Sequence, residues 1–333
     1  MLEHLNEPNL KYGGRNMKML QFDNGDKMPF IGLGTWKAAP GDVYKAVKEA
    51  LKIGYRHIDC APIYGNEVEI GKAISEAVAE GVVTRDQLWI TSKLWNDSHI
   101  PDDVLPALEK TLADLQIEYL DLFLIHWPVA HKKGVVFPES ADGFVSLDDL
   151  PISETWKAME PLVEKGLCRH IGVSNFSIAK LKALLEVAEV KPEMNQIELH
   201  PYLQQQEMLE YCDAQGIHVT AYSPLGSNDR PEQFKVTDEP VLLEDSKIAD
   251  VADRLSATPA QVLISWATIR NTVVIPKSSN PERLKQNLES SGVLLGDDDM
   301  EKIAALERNR RYVSGDFWVI DGGPYSLGNL WDE

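Results

Sequence analysis

Cysteine is scarce in this chain: there are three, Cys60, Cys168 and Cys212, an odd number with no CxxC spacing. Neither a disulfide framework nor a structural zinc site is indicated, and a reducing, cytoplasmic setting fits best. Long apolar runs are also lacking. No stretch approaches the roughly 18 apolar residues of a spanning helix, and the polar start from Met1 to Asn16 has no apolar segment of the signal-peptide kind. Positive charge is in short supply as well, with 33 Lys and Arg against 52 Asp and Glu and a net charge of −19. Such a balance argues against nucleic acid or an anionic membrane as partner, so any bound anion must meet a local basic site. Missing too is a glycine-rich dinucleotide turn: Gly32-Leu33-Gly34 is not followed by the third glycine of that fingerprint.

What is present is a strict alternation. After a hairpin expected at Met19–Pro29, turned by Asn24-Gly25, β-rich runs fall at 30–34, 56–60, 88–93, 120–126, 168–173, 193–198, 217–222 and 272–276. Amphipathic helical patterns separate them at about 41–53, 66–80, 102–116, 153–165, 177–189, 205–215, 245–270 in two pieces, and 280–290. Thr258-Pro259 and Asn280-Pro281 read as N-cap followed by Pro at the first helical position. Eight strand–helix units predict an α/β fold, a (β/α)8 TIM barrel with an N-terminal β-hairpin. The alternative, a doubly wound sheet, would bring the missing glycine turn. The expected organisation is a poorly ordered extension over 1–17, with Met17 an alternative start, and one barrel domain over 18–333 that includes a tail loop, 306–333. Two connections overrun, 127–152 and 223–244. Both follow a strand, which places them on the C-terminal face where barrel active sites lie.

Polar residues cluster at strand ends. Asp59 ends the second, Lys93 the third, His126 the fourth, Ser174-Asn175 the fifth and Tyr222-Ser223 the seventh; Gln196 lies late in the sixth, and Lys277-Ser278 ends the eighth. That is costly for a core and natural for a site. Tyr64, five residues beyond Asp59, is a phenol with an ordinary pKa of about 10. As a general acid it needs a neighbouring cation, and Lys93, with Asp59 as counter-ion, is the expected one. Taken singly these residues are weaker signals: His126 reads as a hydrogen-bonded core histidine, Lys93 as an exposed strand-end lysine, Tyr64 as a packed loop ring and Asp59 as a turn or cap residue. A metal-dependent barrel hydrolase using His57, Asp59, Lys93 and His126 is a rival, but no further ligands follow with suitable spacing. A non-catalytic nicotinamide-binding module is a second rival, against which a tuned phenol argues.

The stretches Gly32-Leu33-Gly34-Thr35-Trp36-Lys37, Gly54 to Ala61 with Tyr64 and Asn66-Glu67, Ile90 to Trp95, Leu124 to Pro128, Ile171 to Phe176, Asn195 to Glu198, Ala221 to Ser227 and Ile275 to Ser278 follow one another in a recognisable order. Through them the chain resembles the aldo-keto reductases of the aldose, aldehyde and xylose reductase group, over residues 18 to about 310. The resemblance implies NADPH-dependent reduction of an aldehyde, with NADH left open by Asn280, and catalytic residues Asp59, Tyr64, Lys93 and His126. For the cofactor it implies Tyr222 against the nicotinamide ring, and Ser174, Asn175 and Gln196 on its carboxamide. Thr35 and Trp36 lie beside it, and the loop with Ser223, Leu225 and Ser227 lies over the pyrophosphate. Lys277, Ser278, Asn280 and Arg283 are expected at the 2′-phosphate, where two cations flank a helix N-cap, and Gln286 and Asn287 near the adenine.

For the substrate, Trp36, Trp95 and Trp127 would wall a pocket with Tyr64 and His126 at its base, suited to sugar aldehydes and small aromatic or aliphatic aldehydes. Trp156 and Trp266, on helical patterns, are expected in the core. One departure is Glu232, where the group often has Trp, and it is expected to make that edge of the pocket more polar. The aromatic tail, with Phe317, Trp318, Tyr325 and Trp331, is expected to fold over the pocket. Nothing in the sequence bears on oligomeric state.

Overall fold

A computed structural model of the chain describes residues 17–333 and the backbone of 11–12 and 15–16, where Lys11–Tyr12 pairs antiparallel with Arg15–Asn16. The rest of the expected extension lies outside the described residues. The predicted hairpin forms from Met19–Gln21 and Lys27–Pro29. Leu20, Phe22, Met28 and Phe30 then pack against Trp89, Leu122, Leu124, Met194 and Val273 and plug one end of the barrel. Trp89, Met194 and Val273 open their strands, so the plug sits at the N-terminal end.

Eight parallel strands follow: β1 Leu33–Gly34, β2 His57–Asp59, β3 Trp89–Leu94, β4 Leu120–Ile125, β5 Cys168–Ser174, β6 Met194–Glu198, β7 His218–Tyr222 and β8 Val273–Val274. Each pairs with its neighbour in sequence order, and the seam closes through bridges from Ile31 to Val274 and from Gly34 to Lys277. The outer two strands are shorter than the runs at 30–34 and 272–276 because the seam consists of isolated bridges rather than a continuous ladder. Period-two alternation sorts the apolar side chains: in β4, Leu122 and Leu124 face the plug, while Phe123 and Ile125 join the cluster beneath the helices. This is the signature of a sheet covered on one side and filled on the other.

The helices fall close to the amphipathic patterns: α1 Asp42–Ile53, α2 Glu67–Ala79, α3 Pro101–Leu115, α4 Ile152–Glu164, α5 Ile178–Leu185, α6 Gln206–Gln215, α7 Ser246–Leu255, α8 Pro259–Ile269 and α9 Pro281–Glu289. Thr258 caps α8 in a reciprocal box with Gln261, which together with the left-handed Ser256 divides 245–270 in two. Two helices had no periodic signal strong enough to predict them, α10 Asp297–Ala304 and α11 Leu327–Trp331. Trp156 and Trp266 are buried in the helix–sheet core, as expected. All three cysteines are free and buried, and among the described residues no helix is long and apolar enough to cross a membrane.

Backbones approach closely at the seam, where a Cβ on Gly34 would lie 2.4 Å from the Ile275 carbonyl oxygen. Gly34→Ala should therefore destabilise the fold by about 1–3 kcal/mol, the usual cost of overpacking. Urea unfolding would show this as a lower midpoint, and an unchanged midpoint would contradict it.

Candidate active site

Asp59 closes β2 and Lys93 stands near the end of β3, so parallel pairing of these strands brings their side chains together. The Lys93 Nζ lies 2.5 Å from Asp59 Oδ1 and also donates to the Cys60 carbonyl at 2.9 Å. Both side chains are essentially unexposed. Burial disfavours the Lys93 ammonium, yet Asp59 and Tyr64 more than offset that and hold its pKa above the ordinary lysine value. The other Asp59 oxygen accepts from Gln196 Nε2 at 2.7 Å, and the Asp59 carbonyl accepts from Thr35 Oγ1 at 2.7 Å.

Tyr64 ends a short 3-10 turn, Pro62–Tyr64, followed by Gly65 in the left-handed region. The next two residues pin that turn: Asn66 donates to the Thr35 carbonyl at 2.9 Å, while Glu67 accepts from Ser92 at 2.6 Å and from Thr111 at 3.2 Å. The Lys93 Nζ is 5.4 Å from the Tyr64 ring centre. Burial pushes the Tyr64 phenol up to about 12, against the opposing pull of Lys93. The expectation that the cation lowers this phenol thus holds for Lys93's own contribution, but desolvation outweighs it and the net shift is upward.

His126 follows β4, its ring edge-on to Tyr64 at 5.9 Å and to Trp95 at 5.1 Å. Burial, aided by Lys93 and His99, keeps its pKa well below the ordinary histidine value, so the ring is neutral at neutral pH. Its Nδ1 is buried without a partner.

These groups form the floor of a cavity of about 730 Å³. Of the expected catalytic, cofactor and substrate residues, all but Lys93 line it, and Lys93 is held against Asp59 and beside the Tyr64 ring. Along one arm Asn175, left-handed at φ 64°, donates to the His126 carbonyl at 2.9 Å and accepts from the Tyr222 hydroxyl at 2.7 Å. Ser174 donates to the Gln196 carbonyl at 2.8 Å. The helix cap near this pair is Ser177, which leaves Ser174 and Asn175 free of that duty. Farther along come Ser223, Leu225 and Ser227, then Lys277, Ser278, Asn280, Arg283, Gln286 and Asn287. Asn280 caps α9 by accepting from the Arg283 amide at 3.0 Å. Lys37 spans the mouth, 2.9 Å from Ser227 Oγ and 2.6 Å from Asp229, which Lys277 also approaches at 3.4 Å.

The other arm is aromatic. Trp95 and Trp127 each lie 5.9 Å from Trp318, and Phe317 lies 5.6 Å from Trp127. The tail therefore reaches the cavity, with Phe317 and Trp318 lining it and Tyr325 and Trp331 packed behind. Glu232 is a correction: its side chain is 88% exposed and does not line the cavity, and Phe234, packed 5.2 Å from Phe317, forms that edge instead. Phe137, Phe234 and Val313 were not foreseen as lining residues. Phe137 and Phe234 belong to the two overlong loops, the one signal that pointed to them. Among the described residues, no group of three or more His, Cys, Asp and Glu is placed to hold a metal.

The model of the Aldo/keto reductase family matches residues 30–308. An aldo/keto reductase from Synechocystis sp. is 55% identical over 318 residues, covering 96% of this chain and 97% of that protein. Aldo-keto reductase family 1 member A1 from Mus musculus is 51% identical over 291 residues, 87% of this chain and 89% of the mouse protein. The solved structure of the aldose reductase from Schistosoma japonicum superposes with a TM-score of 0.81 at 40% identity, covering 90% of this chain and 97% of that one. A closed eight-stranded barrel with a buried Asp–Lys pair beside a tyrosine, and relatives this similar over nearly the whole length, place the chain in the aldo/keto reductase family.

Proposed function

We propose that the protein reduces an aldehyde to the alcohol with NADPH, Tyr64 acting as general acid. The observation that carries this reading is the placement of a half-buried phenol beside the buried Asp59–Lys93 pair at the floor of a two-armed cavity. Bound NADPH supplies the hydride, and the chain supplies everything else. Tyr64 gives its hydroxyl proton to the carbonyl oxygen as negative charge develops there, and Lys93 stabilises the phenolate left behind. A neutral His126 orients the oxygen. Asp59 keeps Lys93 charged and in register.

The polar arm fits the dinucleotide. Ser174, Asn175 and the free end of Gln196 suit a carboxamide, Tyr222 a flat ring, and Ser223, Leu225 and Ser227 a pyrophosphate cover, with Thr35 and Trp36 beside them. On a protein of net charge −19, the exposed Arg283 makes no side-chain ion pair among the described residues and stands at the N-terminus of α9. With Lys277, Ser278 and Asn280 it fits a 2′-phosphate, and Gln286 and Asn287 fit the adenosine beyond. The aromatic arm fits the carbon chain of an aldehyde or the apolar face of a sugar.

Tyr64→Phe should lower kcat by about 100- to 10,000-fold, the usual worth of a positioned general acid, while NADPH affinity stays within a few-fold because the ring is kept. Initial rates with benzaldehyde and a fluorescence titration of NADPH check both halves, and unimpaired turnover would sink the role given to Tyr64. Arg283→Ala should weaken NADPH by about tenfold, in keeping with one charge-assisted hydrogen bond, and NADH by less than twofold. Equal losses for the two cofactors would reject the phosphate assignment.

A further inference from the structure

Two covers meet above the cavity, the loop 223–244 and the C-terminal tail, and they meet at Tyr312. The amides of Tyr312 and Val313 donate to the two oxygens of Glu198 at 2.6 and 2.7 Å, which fixes where the tail leaves the barrel. The Tyr312 hydroxyl donates to the Pro240 carbonyl of the loop at 2.6 Å. Its ring lies 5.0 Å from the Arg230 guanidinium and against Gly226, where an added Cβ would come within 3.4 Å of the ring. Beside it a single carboxylate serves both covers: Glu239 accepts from Arg230 of the loop and, at 3.2 Å, from Arg310 at the root of the tail. The Arg230 and Glu239 side chains are only 1% and 8% exposed, so this is an interior contact and not a screened surface pair. Neither Glu239 nor Tyr312 lines the cavity, whereas Arg230, Val313, Phe317 and Trp318 do.

We infer that Glu239 and Tyr312 are positioning residues that make the tail wall of the aldehyde arm depend on the loop over the dinucleotide arm. The inference rests on reading the cavity as a dinucleotide and carbonyl site. If the loop lifts, Arg230 is withdrawn from Glu239, the Tyr312 hydroxyl loses Pro240 and its ring loses its cover. Val313, Phe317 and Trp318 follow directly along the chain. Whatever closes the loop therefore orders the aldehyde wall, and by linkage whatever binds against that wall holds the loop closed to the same degree.

Hydrogen–deuterium exchange of the amides in 313–331, on the full chain with and without saturating NADP+, tests this, together with stopped-flow release of NADPH. In the wild-type protein NADP+ should slow exchange in the tail about fivefold or more. Glu239→Gln should cut that slowing to under about twofold and speed NADPH release about three- to tenfold, the span expected for one interior hydrogen bond. It should also raise KM for benzaldehyde without lowering kcat. Tyr312→Phe should move each quantity the same way and serves if Glu239→Gln folds poorly. A general loosening would speed exchange equally with and without NADP+, so the ratio separates coupling from instability. NADP+ binding that leaves wild-type tail exchange unchanged, or full protection retained in the variants, would overturn the inference alone. Failure of the wild-type protein to bind NADP+ at all would overturn the cofactor reading and this inference with it.

Discussion

A lysine ammonium with no measurable exposure is tolerable inside a barrel only because a carboxylate lies 2.5 Å from it. The rest of the site is built outward from that pair. Asp59 spends one oxygen on Lys93 and the other on Gln196, and its backbone carbonyl on Thr35, so β2, β3, β6 and the loop after β1 share one anchor. Removing either partner would strand the other charge in the interior, and the strand ends around it would lose their common register. The phenol of Tyr64 depends on the pair as well. Burial raises its pKa, while Lys93 opposes that rise by favouring the phenolate.

Charge is zoned across the cavity. Lys37, Asp229, Lys277 and Arg283 line the end beyond Ser223, whereas the opposite end is walled by Trp95, Trp127, Phe137, Phe234, Phe317 and Trp318. On a chain of net charge −19, Lys277 and Arg283 on either side of the α9 cap, with Lys37 and Lys277 sharing Asp229, are a local gathering of cations that the overall composition would not suggest. The aromatic end offers area and shape instead, with the Trp95 indole already donating to the Val136 carbonyl.

Much of this was legible before any coordinates. The strands announced themselves through β-rich runs buried on both faces, the helices through amphipathic period, and the strand-end polar residues through their cost anywhere but in a site. Tyr64, Lys93, Asp59 and His126 come together as those arguments required. What stayed hidden depends on side-chain direction, which pattern does not encode. Glu232 was expected at the pocket edge, but the turn Glu232–Phe234 sends it to solvent and turns Phe234 inward. Gln196 was read only as a carboxamide contact, and its bond to Asp59 joins residues 137 positions apart. Phe137 lay in a loop whose length marked it as functional without saying which side chain would return to the cavity. The net upward shift of Tyr64 was missed because desolvation depends on packing from every direction, not on the one partner that a sequence suggests.

The division between strands and covers bears on how such a site can change. Asp59 and Lys93 stand on barrel strands and His126 directly follows one, positions fixed by ladders on both sides, whereas Tyr64 sits on the 3-10 turn beyond β2 that Asn66 and Glu67 pin. The aromatic wall comes in part from loops and a tail, yet these are tied to the same strand ends. Glu198, two residues beyond Gln196, holds the amides of Tyr312 and Val313. Ser177, two beyond Asn175, bonds Asp332, and Lys180 on α5 also pairs with Asp332 at 2.6 Å. The tail is thus a strap anchored at both ends, and its span between the anchors makes no hydrogen bond to Asp59, Tyr64 or Lys93 among the described residues. Substitutions within that span can reshape the pocket without touching the buried ion pair. Changes at either anchor would instead be felt by the residues that meet the proposed cofactor.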